Sequence, residues 1–314
     1  MPTPTQLRYI IAVDELRHFG KAAKACHVSQ PSMSMQIQKV EEELNLQIFD
    51  RNQKPIGVTD KGRLFLQQAR TVIFEHEKLL QVAKQQIGII SGDFRLGIIP
   101  TLATSLLPAF LLGFAKAYPK VHLFIEEMKT GDIIKALLED SLDGAILATP
   151  LSEAQIVEKP FCYEPFSLYL SKSHPLYQKN RIKIEELDIA GLWLLKEGHC
   201  LRKQVLDFCS GAIAQGQFNN VSFEGGSLET LVELVDNCGG YTLLPQLMLT
   251  TLNKKQLTGL RSFAGTQPIR ELSIVLRKGH WKEDIADALL TLLIKAVPAE
   301  FSREKHKQQK LIPL

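Results

Sequence analysis

The chain has 314 residues, 45% apolar and 23% charged, which is the balance of an ordinary globular protein long enough for two or three domains with their own cores. Its net charge of +3 permits nucleic-acid binding without demanding it, and its five cysteines are spaced like neither a disulfide framework nor a zinc motif. No leader-like start and no apolar run of about 18 residues is present, so the expected place is the cytoplasm, with no membrane partner, no metal and no cofactor; any disulfide there would be transient.

In chain order, Leu7, Ile10, Ile11 and Val13 begin an amphipathic helix expected to end near His18, with Phe19 and Gly20 breaking it. Residues 21–26 form a short second helix with Ala22, Ala23 and Cys26 inward, and His27 and Val28 turn the chain. Ser29 is a good N-cap and Pro31 suits a first turn, so a third helix runs over 30–43 with Met33, Ile37, Val40 and Leu44 buried. Its other face carries Pro31, Ser34, Met35, Gln38 and Lys39, with Gln30 and Ser32 at its start. Small, polar and basic side chains on one face suit a helix lying in a DNA major groove, although each taken singly is equally well a solvated residue. Residues 48–51 and 56–59 read as short strands flanking a wing, from which Arg51 and Lys54 reach phosphate.

Thr59 caps a long helix over 60–87. Phe65, Ala69, Val72, His76, Leu79 and Ala83 form one stripe on it, and Leu66, Ile73, Leu80 and Ile87 a second. Two apolar stripes on one helix want a partner, which predicts a dimerising coiled coil; His76 is a tolerated polar break. Residues 88–92 form a hinge. Beyond it, strands read at 94–99, 121–127, 144–148, 166–171, 192–196, 221–223, 241–244 and 272–277. Helices read at 105–118, 133–139, 201–208, 228–236 and 281–296. The alternation predicts an α/β architecture with mostly parallel strands. The tail from Ser302 is polar and basic and is expected to be loose.

The stretch E-G-H-C-L-R-K-Q-V-L-D-F-C, residues 197–209, holds two of the cysteines. Leu201, Val205 and Phe208 have helical spacing, which puts Cys200 in a first helical turn. The nine residues from Cys200 to Cys209 rise about 13.5 Å and rotate by roughly half a turn, so the two sulfurs cannot bond while the helix is intact. The pair is either a two-state element or two half-buried structural thiols. Helix amides, His199 and Arg202 are the kind of surroundings that lower a thiol pKa. Cys26, Cys162 and Cys238 read as inert.

From Ala22 to Leu44 the chain reads A-A-K-A-C-H-V-S-Q-P-S-M-S-M-Q-I-Q-K-V-E-E-E-L, and I-F-D-R and V-T-D-K-G follow. This resembles the winged helix-turn-helix of LysR-type transcription regulators, with Gln38 where many members have arginine. H-C-L-R with a cysteine at this spacing, together with C-H-V-S-Q-P, is similar to the peroxide-sensing regulators of that type. The resemblance covers essentially the whole chain. It implies a winged helix-turn-helix over 1–59, a linker and dimerisation helix over 60–88, a periplasmic-binding-protein-like effector domain over 89–300, and a flexible tail over 301–314. Within the effector domain it implies subdomain I at 92–164 and 268–300, and subdomain II at 165–267. It also implies that Cys200 reacts with peroxide and Cys209 resolves, with Thr101, Thr130, His199, Arg202 and Arg270 around the peroxide. Lys203 stands where an acidic residue is common. The implied partners are double-stranded operator DNA, hydrogen peroxide, further copies of the chain in a dimer of dimers, and RNA polymerase.

Two other functions fit parts of the sequence. A regulator of the same type that senses a small metabolite between the subdomains would use Thr101 and Arg270 to hold a carboxylate. A thiol peroxidase or dithiol oxidoreductase would need a C-x-x-C or a peroxidase fold, and neither is legible, so no enzyme activity is expected.

Overall fold

The computed structural model describes residues 1–85, 90–187, 191–197, 200–208, 223, 225–301 and 309–311. The chain divides into two compact units, Met1–Ile89 with Glu139–Ser141, and Ile90–Leu138 with Leu142–Leu314.

In the first unit, α1 (Pro4–Leu16) starts at a capping box, with Thr3 and Gln6 satisfying each other's backbone amides. The first helix ends before His18 as expected, at Leu16, but Phe19 already opens α2 (Phe19–Ala25), two residues ahead of the expected start. The reason is His18, whose Nδ1 accepts from the amides of Gly20 and Lys21 and so serves as the N-cap, while Phe19 packs edge-on to Phe49 in the core. Helix α3 (Gln30–Glu43) is capped by Ser29, whose hydroxyl accepts from Ser32 N at 3.3 Å. Met33, Ile37 and Val40 are fully buried, each stabilising the unit by about 1.5–3 kcal/mol. Leu44, expected in the same stripe, is 39% exposed, because the helix ends at Glu43 and the chain turns away through Asn45 at φ 48°.

Strands β1 (Phe49–Asp50) and β2 (Gly57–Val58) pair antiparallel around the wing. Thr59 then caps α4 (Asp60–Gln85) by accepting from Gly62 N at 2.9 Å. Gly62 lies so close to β1 that a Cβ there would come within 2.3 Å of the Ile48 carbonyl oxygen. Leu66, Ala69 and Ile73 bury one face of α4, and Arg70 fixes it to Asp14 and Glu15 of α1. On its other side Val72 and Leu79 stay exposed, Leu79 by 70%.

The second unit begins with β3 (Gly92–Ile98), α5 (Pro100–Ala117), β4 (Val121–Glu127), α6 (Thr130–Leu138) and β5 (Gly144–Thr149). Then come β6 (Ile156–Leu170), β7 (Arg181–Ile182), α7 (Cys200–Phe208), α8 (Leu228–Cys238), β8 (Tyr241–Pro245), α9 (Lys254–Leu257), β9 (Leu260–Phe263), β10 (Gln267–Arg277), α10 (Glu283–Ala296) and β11 (Gln309–Leu311). The strand order is β4-β3-β5-β10-β6-β9-β7, with β11 on β10 and β8 on β6.

The pairing is mixed rather than mostly parallel. β3 is parallel to β4 and β5, but β10 is antiparallel to β5 and β6, and β6 is antiparallel to β8 and β9. The cause is that β6, 15 residues long, and β10, 11 residues long, pass in opposite directions between two cores. One core gathers Phe94, Ile98, Phe110, Ile146, Ile274 and Leu289; the other gathers Phe166, Trp193, Leu201, Val205, Val235 and Tyr241.

Helix α5 is long and apolar enough to cross a membrane by length and composition, but its Leu102, Leu106, Phe110 and Phe114 are buried in the first core. The expected strand at 192–196 is reduced to single bridges, Leu192 to Tyr241 and Leu195 to Gly225. Of the strand expected at 221–223, residues 221 and 222 lie outside the described residues. The tail is not wholly loose: Gln309, Lys310 and Leu311 pair in parallel with Gln267, Pro268 and Ile269. They fill the flank of β10 that β5 leaves open, since β5 pairs only from Glu271 onward.

Candidate functional site

Cys200 is the first residue of α7 and is partly buried. The helix forms here because Leu201 and Val205 both reach the second core, while Cys200 itself packs against the first. The thiol therefore lies where the two cores meet. The amides of Leu201 and Cys200 donate toward the sulfur, and the hydroxyl of Thr130, at the start of α6, faces it as a hydrogen-bond donor. That hydroxyl is buried and has no other hydrogen-bond partner among the described residues.

Arg270 of β10 supplies the positive charge. Its side chain is fully buried, its Nε donates to Glu164 Oε2 at 2.7 Å, and one terminal nitrogen donates to Thr101 Oγ1 at 3.2 Å. The other terminal nitrogen, Nη2, is buried without a hydrogen-bond partner among the described residues. Thr101, at the start of α5, is buried as well, and because it accepts from Arg270 its own O–H is left to donate elsewhere. The guanidinium carbon lies 5.8 Å from the Phe166 ring centroid. Thr101, Thr130, Cys200 and Arg270 thus come together from four separate elements.

One expectation is corrected. The thiol pKa is raised, not lowered: burial pushes it up, and Arg270, Thr130 and the two amides pull it down without outweighing the loss of water. Arg202 Nη1 donates to the Leu195 carbonyl at 2.9 Å, tying α7 to the preceding segment. His199 and Cys209 lie outside the described residues. Cys162 is fully buried, and burial together with the nearby Glu164 charge raises its thiol well above the ordinary range.

Sequence reasoning missed Glu164, Phe166 and Gln204. Gln204 is fully buried one turn along α7 from Cys200, on the same side of the helix. For Glu164 a signal was available: F-C-Y-E-P-F and P-I-R-E-L-S-I set charged residues among apolar ones in two strands, and buried charges need partners.

On the first unit, Gln30, Pro31, Met35, Gln38 and Lys39 are exposed along α3, and Ser32 and Ser34 are half-buried. Lys54 is exposed on the wing. Gln38 is held along the helix by Glu42 at 2.8 Å. Arg51 joins wing to helix, donating to Ser34 Oγ and to Glu41 Oε2.

Comparison with known proteins covers nearly the whole chain. Residues 4–63 match the bacterial regulatory helix-turn-helix protein family of LysR type, and residues 88–298 match the LysR substrate binding domain. The hydrogen peroxide-inducible genes activator of Dickeya chrysanthemi is 35% identical over 87% of this chain and 88% of its own. The DNA-binding transcriptional dual regulator OxyR of Escherichia coli is 34% identical over 87% of this chain and 88% of its own. Among solved structures, a full-length OxyR variant from Pseudomonas aeruginosa superposes with a TM-score of 0.79 at 30% identity, covering 94% of this chain and 98% of that one. An H2O2-bound OxyR mutant from Corynebacterium glutamicum gives 0.60 at 28% identity, covering 94% and 92%. By its two matched domains and by these relatives, the chain belongs to the LysR-type family of bacterial helix-turn-helix regulators, in its OxyR group.

Proposed function

We propose that the chain is a DNA-binding transcription regulator that senses hydrogen peroxide through Cys200 and Cys209 and controls oxidative-stress genes. The observation that carries this reading is the meeting of the Cys200 thiol with two buried donors: the Thr130 hydroxyl, which faces the sulfur, and Arg270 Nη2, which has no hydrogen-bond partner among the described residues. A peroxide is small and neutral, and both its oxygens accept hydrogen bonds.

Burial raises the thiol pKa, so the proton must leave the sulfur as it attacks, and the thiolate is the reacting form. Sulfur attacks one peroxide oxygen, the S–O bond forms as the O–O bond breaks, and the leaving oxygen takes the thiol proton and departs as water. Arg270 and the hydroxyls of Thr101 and Thr130 stabilise charge on that oxygen as it leaves. The resulting sulfenic acid condenses with the Cys209 thiol, giving a disulfide and a second water. Since α7 begins at Cys200 and Cys209 follows Phe208, the helix must rearrange for the sulfurs to meet. His199 belongs to the same peroxide pocket in this reading, and Arg202 acts on it only by holding α7.

The effector functions fall to residues 89–300, divided at the crossing strands β6 and β10. DNA is bound through α3 and the wing, using Gln30, Pro31, Ser32, Ser34, Met35, Gln38, Lys39, Arg51 and Lys54. The exposed stripe of α4 joins two copies, two such dimers assemble, and RNA polymerase is contacted from the DNA-bound form in the cytoplasm. The chain turns over no substrate.

The test is hydrogen exchange over residues 201–208 in the reduced and oxidised protein, with the Cys200–Cys209 disulfide confirmed by mass mapping. Protection should fall on oxidation; equal protection would sink the helix rearrangement.

One observation favours a second reading, in which a small metabolite is sensed. A cavity of about 150 Å³ is lined by Thr101, Thr104 and Ser105 of α5 and by Ser227 and Glu229 at the start of α8. Protection against thermal unfolding by a metabolite, and none of the peroxide response, would select that reading.

A further inference from the structure

The Glu164–Arg270 pair is among the most deeply buried in the chain, with both side chains fully inaccessible. Neither residue can reach water, so each depends on the other for its charge balance. Glu164 does more than balance. Its Oε2 takes Arg270 Nε at 2.7 Å, and its Oε1 accepts from the backbone amide of Leu247 at 2.7 Å. Leu247 packs in the first core and its neighbour Met248 in the second, so the carboxylate is fixed to a segment that joins them. With Nε held by Glu164 and one terminal nitrogen held by Thr101, the planar guanidinium has a single orientation. That orientation leaves Nη2 as the nitrogen without a partner among the described residues.

An unpaired guanidinium in a dry pocket would draw in an anion. Chloride, a carboxylate or a phosphate would satisfy it and would occupy the place beside the thiol. Paired with Glu164, the guanidinium still offers N–H donors but much less net charge. Such a site accepts a neutral hydrogen-bonding molecule and gives an anion little charge to pair with.

We propose that Glu164 is a positioning and specificity-determining residue, fixing the Arg270 guanidinium in the thiol pocket and offsetting most of its charge so that the pocket takes a neutral peroxide in preference to an anion. The proposal rests on Cys200 being the peroxide-reactive thiol.

The test uses the full-length reduced protein, with formate as the anionic probe and the formation of Cys200 sulfenic acid or disulfide followed by mass spectrometry. Wild-type oxidation by hydrogen peroxide should be indifferent to formate at constant ionic strength. In Glu164→Gln the rate should fall by about tenfold, the cost of a misdirected charged donor. Formate should slow that variant further in a concentration-dependent manner. Glu164→Asp should restore the indifference to formate. A role confined to stability would lower the melting temperature of Glu164→Gln without creating formate inhibition.

Formate that competes with peroxide in the wild-type protein would overturn the proposal, and this arm stands even where Glu164→Gln fails to fold. So would a folded Glu164→Gln that is oxidised at the wild-type rate without formate inhibition. A wild-type Cys200 that peroxide leaves unmodified is a different failure, that of the sensing reading itself.

Discussion

The Arg51 guanidinium lies 3.0 Å from the Glu41 carboxylate, so the wing arginine is bound to the recognition helix rather than projecting from the wing alone. Glu41 uses its other oxygen to accept from the amides of Ile48 and Phe49, which fixes the start of β1. Arg51→Ala should therefore do two things. It should weaken binding to operator and non-operator DNA alike and reduce the magnitude of the salt slope by about one. It should also lower the stability of the first unit by about 1 kcal/mol, since the partly exposed pair is screened by solvent. Lys54→Ala should reproduce the salt effect without the stability loss. Binding titrations over a range of salt, alongside thermal unfolding, separate the two. Loss at a single operator position would contradict a phosphate role for Arg51.

Cys200→Ser should abolish the peroxide response, since no sulfur remains to attack. Cys209→Ser should still react once, stall as the sulfenic acid, and pass to sulfinic acid on prolonged exposure. Intact mass after peroxide should distinguish the two variants, and neither should form the disulfide within the chain. Unmodified mass in Cys209→Ser would place the first oxidation elsewhere.

The raised thiol pKa makes a statement about pH. Cys200 is protonated at neutrality, and its thiolate appears only as pH rises through a value above the ordinary thiol range. Its rate of alkylation by iodoacetamide should climb throughout pH 7 to 9, taken as a range of about two units around the free-thiol value, without a plateau. A plateau already reached near neutrality would mean that the donors outweigh the burial.

Asp143 gives a second pH dependence, unrelated to the thiol. Its carboxylate accepts from Arg95 N and faces Lys282 Nζ at 2.7 Å and His280 Nε2 at 3.2 Å. Burial raises its pKa, but these partners outweigh burial and hold it below the usual carboxylate range. A depressed folded value means stability that is fully present above the unfolded carboxylate pKa and is lost as pH falls through the folded one. Asp143→Asn should cost about 3 kcal/mol at neutral pH, leaving Lys282 buried without its counter-charge. The gap between variant and wild type should begin to narrow as pH falls past the unfolded carboxylate pKa of about 4 and close only below the depressed folded value, where both carry a neutral side chain. A gap independent of pH would show that packing, not charge, was lost.

Leu79→Asp should dissociate the proposed dimer. Leu79 is largely exposed in the single chain and lies on the stripe of α4 that turns away from its own unit. A charge there would be hydrated when the helices separate and stranded when they pair. An unchanged mass in sedimentation would remove this stripe from the seam.

The DNA-binding unit was legible where short-range rules decide the outcome. Ser29 and Pro31 mark the start of α3, and the observed bounds agree with the expected ones. The rules failed at Phe19, because a histidine cap is a contact that apolar period does not encode. In the effector domain the Cys200 helix could be read from Leu201 and Val205. Its chemistry could not, because the pKa depends on how dry the site is. That depends on two cores closing around the thiol, which no local spacing records. Arg202 looked like the natural neighbour because it is near in sequence; the charge that reaches the sulfur comes from Arg270, seventy residues on. The antiparallel pairing of β6 and β10 was hidden for a similar reason: both read as ordinary strands, and direction is a property of the pair.

The tail strand has a consequence for how this protein compares with its relatives. Gln309, Lys310 and Leu311 join β10 through main-chain pairing, immediately before Arg270 in the sequence of that strand. A main-chain ladder is indifferent to which side chains it carries, provided none is proline at a donating position. The segment is therefore free to drift in sequence while keeping its place, and comparison residue by residue would pass over it as unremarkable. Single substitutions would do the same. Deletion, or a fusion partner attached behind Leu314, would interrupt the ladder itself and act on the flank of the strand that carries the peroxide-pocket arginine.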